Sequence, residues 1–349
     1  METPLSALNG SLEQLRAFAG SALGQAPSRV EALSGGGSNR RYYRLWVGGG
    51  TVIGAISDNA AELRAFLAFT RHFAAKGIPV PAIPAADQPR GLYLMEDLGP
   101  RTLRDHLAAL RGNGGPGPSG LAALEQAVRW LPVIQVRGGE GLDYAACILD
   151  QEMGRKTYAA DIRLFREHFV ARYAPDAEPD PAAIRQLEGL AERAAGLDAT
   201  HFCYRDFQTR NIMWHEERPV FIDYQSGRRG PLVYDLASIL YSPDSALDEP
   251  GRERLITAYL DALKGCGVSR ERDAFLAELY PMVLLRRIQA LGAYARLAAV
   301  KGKTGFLAHI PATMSTLNAL GASGRIWKDC PDLRDWLQRV FELAARAAL

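Results

Sequence analysis

The stretch "HFCYRDFQTRNIMW" (His201–Trp214) sets an arginine–aspartate pair behind an apolar start, an asparagine five residues after the aspartate, and an apolar run beyond it. A second fragment, "VFIDYQSGRRGPLVYDLASILY" (Val220–Tyr241), puts a lone acid, Asp223, directly after Val220, Phe221 and Ile222. Short apolar and aromatic runs bounded by polar turn formers read as strands. Together the fragments place Asp206, Asn211 and Asp223 beside strand-like runs. They ask for a chemistry in which a carboxylate, an amide and a second carboxylate converge.

Outward from these fragments the pattern changes character. "SLEQLRAFAGSAL" (Ser11–Leu23) has apolar residues near helical spacing and predicts an opening helix. "VEALSGGGSNRRYYRLWVGGGTVIGAIS" (Val30–Ser57) reads as two or three short strands joined by glycine turns. "NAAELRAFLAFTRHFAAKG" (Asn59–Gly77) returns to helical periodicity, with Gly77 as its cap. "VPAIPAADQPRGLYLMEDLG" (Val80–Gly99) is strand, turn, strand, ending in a hinge at Met95–Gly99. After about Leu103 the chain is mainly helical, apart from the pieces around Asp206 and Asp223. "RGNGGPGPSG" (Arg111–Gly120) reads as a surface loop that holds no helix, and "APDAEPDPAA" (Ala174–Ala183) as a second loop leading into a helix. A small β-rich front and a large α-rich back predict a two-lobed α+β fold, divided into residues 1–97 and 98–349.

Composition narrows the function classes. At 349 residues, with 48% hydrophobic and 23% charged residues, the chain can bury a full core in two lobes. The net charge is +2, and the basic residues form no block of the kind that tracks a phosphate backbone, so no nucleic-acid partner is expected. The four cysteines (Cys147, Cys203, Cys266, Cys330) form no CxxC pair, which suits free thiols in a reducing compartment. The N-terminal stretch has no signal-peptide h-region, and no run approaches the ~20 apolar residues of a membrane span. The expectation is a cytoplasmic protein without a membrane partner.

Phosphoryl transfer from ATP needs positioning and charge neutralisation more than covalent help. A carboxylate must accept the proton of the attacking hydroxyl, and hard oxygen ligands must hold Mg²⁺ against the phosphates. Asp206 as base, with Asn211 and Asp223 as metal ligands, supplies that set. The plain alternative is that Asp206 and Asn211 form turns and Asp223 caps an element. All three in this order, with strand-like flanks, favour the chemistry.

These residues carry a resemblance. "YRDFQTRNIMW…VFIDYQSGRRGPLVYDLASILY" is similar to the catalytic core of the aminoglycoside phosphotransferase-like kinases, whose fold is related to that of protein kinases. "SGGGSNRRYYRL" (Ser34–Leu45) resembles the nucleotide-covering hairpin of the same family. The resemblance runs from about Val30 to Leu240. It implies ATP and Mg²⁺, with Asp206 as catalytic base, Asn211 and Asp223 as metal ligands and Asp235 as the buried acid that braces the catalytic loop. Tyr204 stands where many relatives have histidine, a position whose role is structural. The family's third-strand lysine, which grips the ATP phosphates and pairs with a helix glutamate, has no counterpart in "TVIGAIS" (Thr51–Ser57). Glu62 is the corresponding helix glutamate, and Arg40, Arg41 or Arg44 is the candidate substitute cation, since arginine is a good phosphate ligand. Ser38, Asn39 and Glu96 complete the nucleotide-side candidates. The lysine-less front with its "DYQ…RRGP…YDLAS" core most resembles the anomeric N-acetylmuramate/N-acetylglucosamine sugar kinases of bacterial cell-wall recycling.

That resemblance implies a small-molecule kinase acting on the anomeric hydroxyl of an amino sugar. The rivals are a kinase for another hydroxyl compound (an aminoglycoside, amino alcohol or nucleoside) and a nucleotide-binding pseudokinase. An aminoglycoside wants an acidic pocket, yet Pro281–Lys303 carries five basic residues and no acid, which suits a neutral or anionic sugar. Arg286, Gln289 and Arg296 fall on roughly one helical face and are candidate acceptor ligands. Arg228 and Arg229 follow Asp223 by a few residues and are expected near the phosphates or the acceptor. "KGKTGF" (Lys301–Phe306) is not a P-loop: Leu297 stands where its first glycine belongs, and the preceding segment is helical.

Overall fold

Period-two alternation along the first strands decides how the front of the molecule is layered. The computed structural model describes residues 5–33, 40–111, 115–322 and 326–347. Helix α1 (Leu5–Leu23), which starts at Leu5 rather than Ser11, is followed by β1 (Arg29–Leu33), β2 (Arg41–Val47) and β3 (Gly50–Ile56). Helix α2 (Ala60–Ala75), β4 (Ala85–Asp87) and β5 (Leu92–Glu96) complete the front. The five strands pair antiparallel in the order β1-β2-β3-β5-β4. Gly48 and Gly49, with φ of 60° and 83°, supply the two left-handed positions that a tight β2–β3 hairpin demands. Leu45, Val52, Leu92 and Leu94 point to the back of the sheet and bury against Leu15 and Ala19 of α1. Arg40, Tyr42 and Arg44 therefore face the other way, into a cleft.

Helix α2 lies between the sheet and the rest of the chain. The Asn59 side chain caps it by accepting from the Glu62 N–H, which fixes Glu62 in the first turn. Its Phe69 and Phe73 pack edge-on against Phe202, and Phe66 and Phe73 against Tyr224. The Thr70 and Tyr224 hydroxyls are 2.6 Å apart inside this seam. One apolar core thus runs from Ala55 and Tyr93 through α2 into the helical region.

The back begins with α3 (Leu103–Leu110), whose Thr102–Asp105 capping box stops the hinge sharply. Helix α4 (Gly117–Pro132) follows; it claims Gly117–Gly120 from the stretch read as loop, because Pro118 at its first turn is preset for a helix start. Residues 112–114 of that loop lie outside the described residues. Next come α5 (Arg155–Leu164), the short α6 (Ala171–Tyr173) and α7 (Pro181–Ala195), the last capped by Asp180. Four short strands then flank Asp206, Asn211 and Asp223: β6 (His201–Cys203), β7 (Ile212–His215), β8 (Arg218–Phe221) and β9 (Arg228–Gly230). The chain ends in α8 (Val233–Leu240), α9 (Glu249–Gly265), α10 (Arg272–Lys301), α11 (Ile310–Ala322) and α12 (Pro331–Arg346). The fold is α+β, with a β-sheet N-terminal region and a helical C-terminal region. No helix among the described residues is long and apolar enough to cross a membrane.

Candidate active site

Two antiparallel pairs bring the three chemistry-bearing side chains together. Strand β7 pairs with β8 through a tight turn at Glu216 and Glu217, both left-handed, and the ladder continues as the Ile222 N–H donates to the Asn211 carbonyl at 3.1 Å. Asn211 and Asp223 therefore end neighbouring strands. The Asn211 amide donates to the backbone carbonyl of Asp206 at 2.9 Å, which ties the catalytic loop to that end. With its NH₂ so engaged, the Asn211 side-chain oxygen is the group left to accept. Strand β6 delivers Asp206 from the other side, paired with β9.

The loop is held from beneath. Asp235, fully buried, accepts the N–H groups of Tyr204 and Arg205, each at 2.8 Å, and the Gln135 amide at 3.2 Å. Burial pushes its carboxyl up to about 6 against the downward pull of those three donors. The Tyr204 hydroxyl donates to the Ile222 carbonyl and so clamps the loop to the residue just before Asp223. Arg205 and Asp223 adopt φ of 72° and 68°, a conformation that costs non-glycine residues roughly 1–3 kcal/mol each and persists only where the surroundings enforce it. The Asp206 carboxylate accepts from Ser226 Oγ at 3.2 Å and borders the cleft.

Arg40 settles the geometry of the lysine-less strand. Its Nη2 lies 3.0 Å from Glu62 Oε1 and 3.1 Å from Asp223 Oδ1, with the side chain 6% exposed. Gln225 Nε2 repeats the pattern, donating to Glu62 at 3.2 Å and to Asp223 at 2.8 Å. The guanidinium comes from the residue just before β2 rather than from β3, and meets Glu62 of α2. Both contacts use Asp223 Oδ1; the carboxylate stays 40% exposed, with its other oxygen available to the cleft. Arg44 instead grips Asp97 with two bonds, at 2.6 and 3.0 Å, and fastens β2 to the hinge. Arg41 alternates to the back of the sheet, away from the cleft. Glu96 lines the cleft, with its carboxylate turned to the Ala82 N–H. Ser38 and Asn39 lie outside the described residues.

The cleft has a volume of about 1180 Å³. Leu33, Ile53, Met95, Leu98, Met213 and Ile222 form an apolar end beside the hinge, and the three polar side chains stand in the middle. The far end is built by α10 and the turn after it. Arg286 is buried, donating to Ser238 Oγ at 2.8 Å and to Gln289, with its guanidinium 4.7 Å over the Tyr234 ring. Tyr294, Phe306 and His309 form an aromatic wall, with Tyr294 and Phe306 stacked at 5.9 Å. Arg296 lies exposed, off the face that carries Ala290, Ala293 and Leu297 into the cleft.

Like Arg41 and Arg296, two further sequence candidates do not line this cavity. Arg228 is buried behind the catalytic loop, on the strand paired with Cys203, and Arg229 turns outward over the Tyr144 ring at 4.1 Å. Chain distance from Asp223 misled here, because β9 turns back along β6. Conversely, Gln225, Ser226, Arg210, Arg287, Tyr294, Phe306 and His309 border the cleft without having been singled out. "KGKTGF" contributes Lys303, Gly305 and Phe306 to the far end, in a turn that follows the left-handed cap Gly302.

Asp223 Oδ2 and the Asn211 oxygen are hard donors of the kind Mg²⁺ takes from protein when phosphates and water complete its shell, so the residues present fit that ion.

The sequence profile of the phosphotransferase enzyme family matches residues 29–276. The chain is 28% identical to the N-acetylmuramate/N-acetylglucosamine kinase of Caulobacter vibrioides, over 97% of this chain and 99% of that one. It is 26% identical to the protein of the same name from Pseudomonas aeruginosa, over 82% and 81%. Among solved structures, a choline/ethanolamine kinase family protein from Mesorhizobium loti superposes with a TM-score of 0.61 at 16% identity, covering 95% of this chain and 99% of that chain.

Proposed function

This chain belongs to the phosphotransferase enzyme family, and we propose that it transfers the γ-phosphoryl group of ATP to the anomeric hydroxyl of an amino sugar of the N-acetylmuramate/N-acetylglucosamine type. It is a kinase with a hydroxyl acceptor. The observation that carries the reading is the convergence of Asp206, Asn211 and Asp223 in one cleft, with Arg40 bridging Glu62 and Asp223. The apolar end beside the hinge suits an adenine ring, and Arg40 would turn one face of its guanidinium to the phosphates. Asp206 accepts the proton of the acceptor hydroxyl as its oxygen bonds to the γ-phosphorus, and the bond to the bridging oxygen breaks to release ADP. Mg²⁺, held by Asn211 and Asp223, would neutralise charge on the phosphates. The aromatic wall of Tyr294, Phe306 and His309 offers an apolar platform for a sugar ring.

The test is a panel of acceptors with ADP release as readout. N-acetylmuramate and N-acetylglucosamine are expected to be turned over, while choline, ethanolamine, nucleosides and aminoglycosides are not. Turnover confined to the non-sugars would overturn the amino-sugar reading while leaving the kinase assignment in place.

A further inference from the structure

The far end of the cleft holds more positive charge than the transfer reaction accounts for. Arg286 and Arg287 are adjacent on α10, and each is 3% exposed. Arg287 has one long bond, from Nη2 to the Ser238 carbonyl at 3.4 Å, and its buried Nε has no hydrogen-bond partner. Burial, and after it the charge of Arg286, pull it down to about 10; Tyr294 and Tyr234 oppose that pull, and Arg210 adds a smaller push in the same direction. Arg210, on the turn between Asp206 and Asn211, lies over the Phe306 ring at 5.9 Å and makes no ion pair among the described residues. From Arg286 onward the cavity wall contains no aspartate or glutamate.

A buried, half-satisfied guanidinium beside two further cations is costly to a fold, because Arg287 loses hydration without gaining a counter-charge of its own. Such an arrangement persists where a ligand supplies the missing anion. Asp206 and the carbonyl of Arg205 engage the Arg286 side of the cluster, and Arg287 and Arg210 are left facing cleft. A planar, forked cation is suited to a carboxylate, which it can meet with two parallel bonds.

We propose that Arg287 and Arg210 form an anion subsite of the acceptor pocket, and that the enzyme prefers an amino sugar bearing a carboxylate to the neutral amino sugar. This rests on the amino-sugar reading above. The carboxylate of the acceptor completes the Arg287 hydrogen bonds and relieves its repulsion with Arg286, while the sugar ring lies along the aromatic wall.

The experiment compares kcat/KM for N-acetylmuramate, its neutral methyl ester and N-acetylglucosamine in the wild type, R287Q and R210A. In the wild type, N-acetylmuramate is expected to exceed both neutral sugars by tenfold or more, and the ester to behave like N-acetylglucosamine. Either variant is expected to lower the acid-to-neutral ratio at least tenfold, which corresponds to about 1.4 kcal/mol. R210A, at a part-exposed position, decides the matter should R287Q fail to fold. A wild-type ratio near one, or an ester as good as the acid, overturns the subsite and leaves the amino-sugar reading intact. A rise in KM for ATP with an unchanged acid-to-neutral ratio overturns it too, by assigning the cluster to the nucleotide phosphates. If no sugar is turned over, the subsite and the amino-sugar reading fall together.

Discussion

Single side chains in the cleft make separable demands. The Asp206→Asn variant keeps the loop geometry, which rests on the Asp206 backbone carbonyl and on Asp235, and removes only the carboxylate proposed as proton acceptor. Its kcat is expected to fall about 10²–10⁴-fold, with the affinity for Mg·ATP nearly unchanged by equilibrium binding; near wild-type turnover would mean that another group is the base. Arg40→Ala removes the cation between Glu62 and Asp223 and leaves two carboxylates facing each other across Gln225. The KM for ATP is expected to rise tenfold or more, about 1.4 kcal/mol, and an unchanged KM would reopen the pseudokinase alternative. At this scale the sequence was informative wherever chemistry fixes both residue type and spacing, as for Asp206, Asn211 and Asp223. Among Arg40, Arg41 and Arg44 it was mute, because three cations on one strand differ only in the face to which alternation turns them. Arg287 was invisible for a related reason: a buried arginine inside a basic helix looks in sequence like one more solvated charge.

Elements explain how the loop keeps its unusual backbone. Strands β6 and β8 are joined through Tyr204 and Ile222, and α8 presents Asp235 to two consecutive amides of the loop. Asp235 is held near 6 by burial, above the ordinary carboxylate value. Its native form therefore keeps a proton that the unfolded chain has already lost. The stability it contributes is complete below about pH 4 and is lost as pH rises to about 6. Asp235→Asn removes that titration, so the wild-type melting temperature should fall relative to the variant across this window and run parallel above it. Parallel curves from pH 4 to 8 would show that Asp235 has an ordinary carboxylate pKa. Two helices were legible: the one read over Asn59–Gly77 forms, capped by Asn59, and the one expected after the Ala174–Ala183 loop forms, capped by Asp180. The loop assigned to Gly117–Gly120 was not, since glycine content argued against a helix that Pro118 and packing of α4 on α9 enforce. The course of β9, which carries Arg228 and Arg229 away from the cleft, is set by pairing with β6 and leaves no local mark.

Taken as a whole, the molecule has two regions but one core. The aromatic seam of Phe66, Phe69 and Phe73 against Phe202 and Tyr224 joins α2 to the helical region, so the front sheet is packed to the back through α2 as well as through the hinge. Denaturant unfolding is expected to give coincident transitions by fluorescence of Trp46 in the sheet and Trp214 in the back, isolated as single-tryptophan variants. Phe73→Ala should lower both midpoints together, at a cost of about 3–5 kcal/mol; a front that melts first on its own would refute the continuous core. The two-region plan was readable from the change of hydrophobic period near Leu103. The seam was not, because Phe73 and Phe202 are distant in sequence and nothing near either announces the other.

On the proposed reading Arg40 takes the part of a lysine, which reaches beyond catalysis, into how such a protein is detected. Reagents built on ATP that carry an acyl group mark nucleotide sites by reacting with a lysine amine near the phosphates. A guanidinium stays protonated and offers them no nucleophile, and the only lysine among the described residues lining this cleft is Lys303, at the opposite end. A proteome surveyed with amine-directed nucleotide probes would pass this kinase over, even where it is abundant and fully loaded.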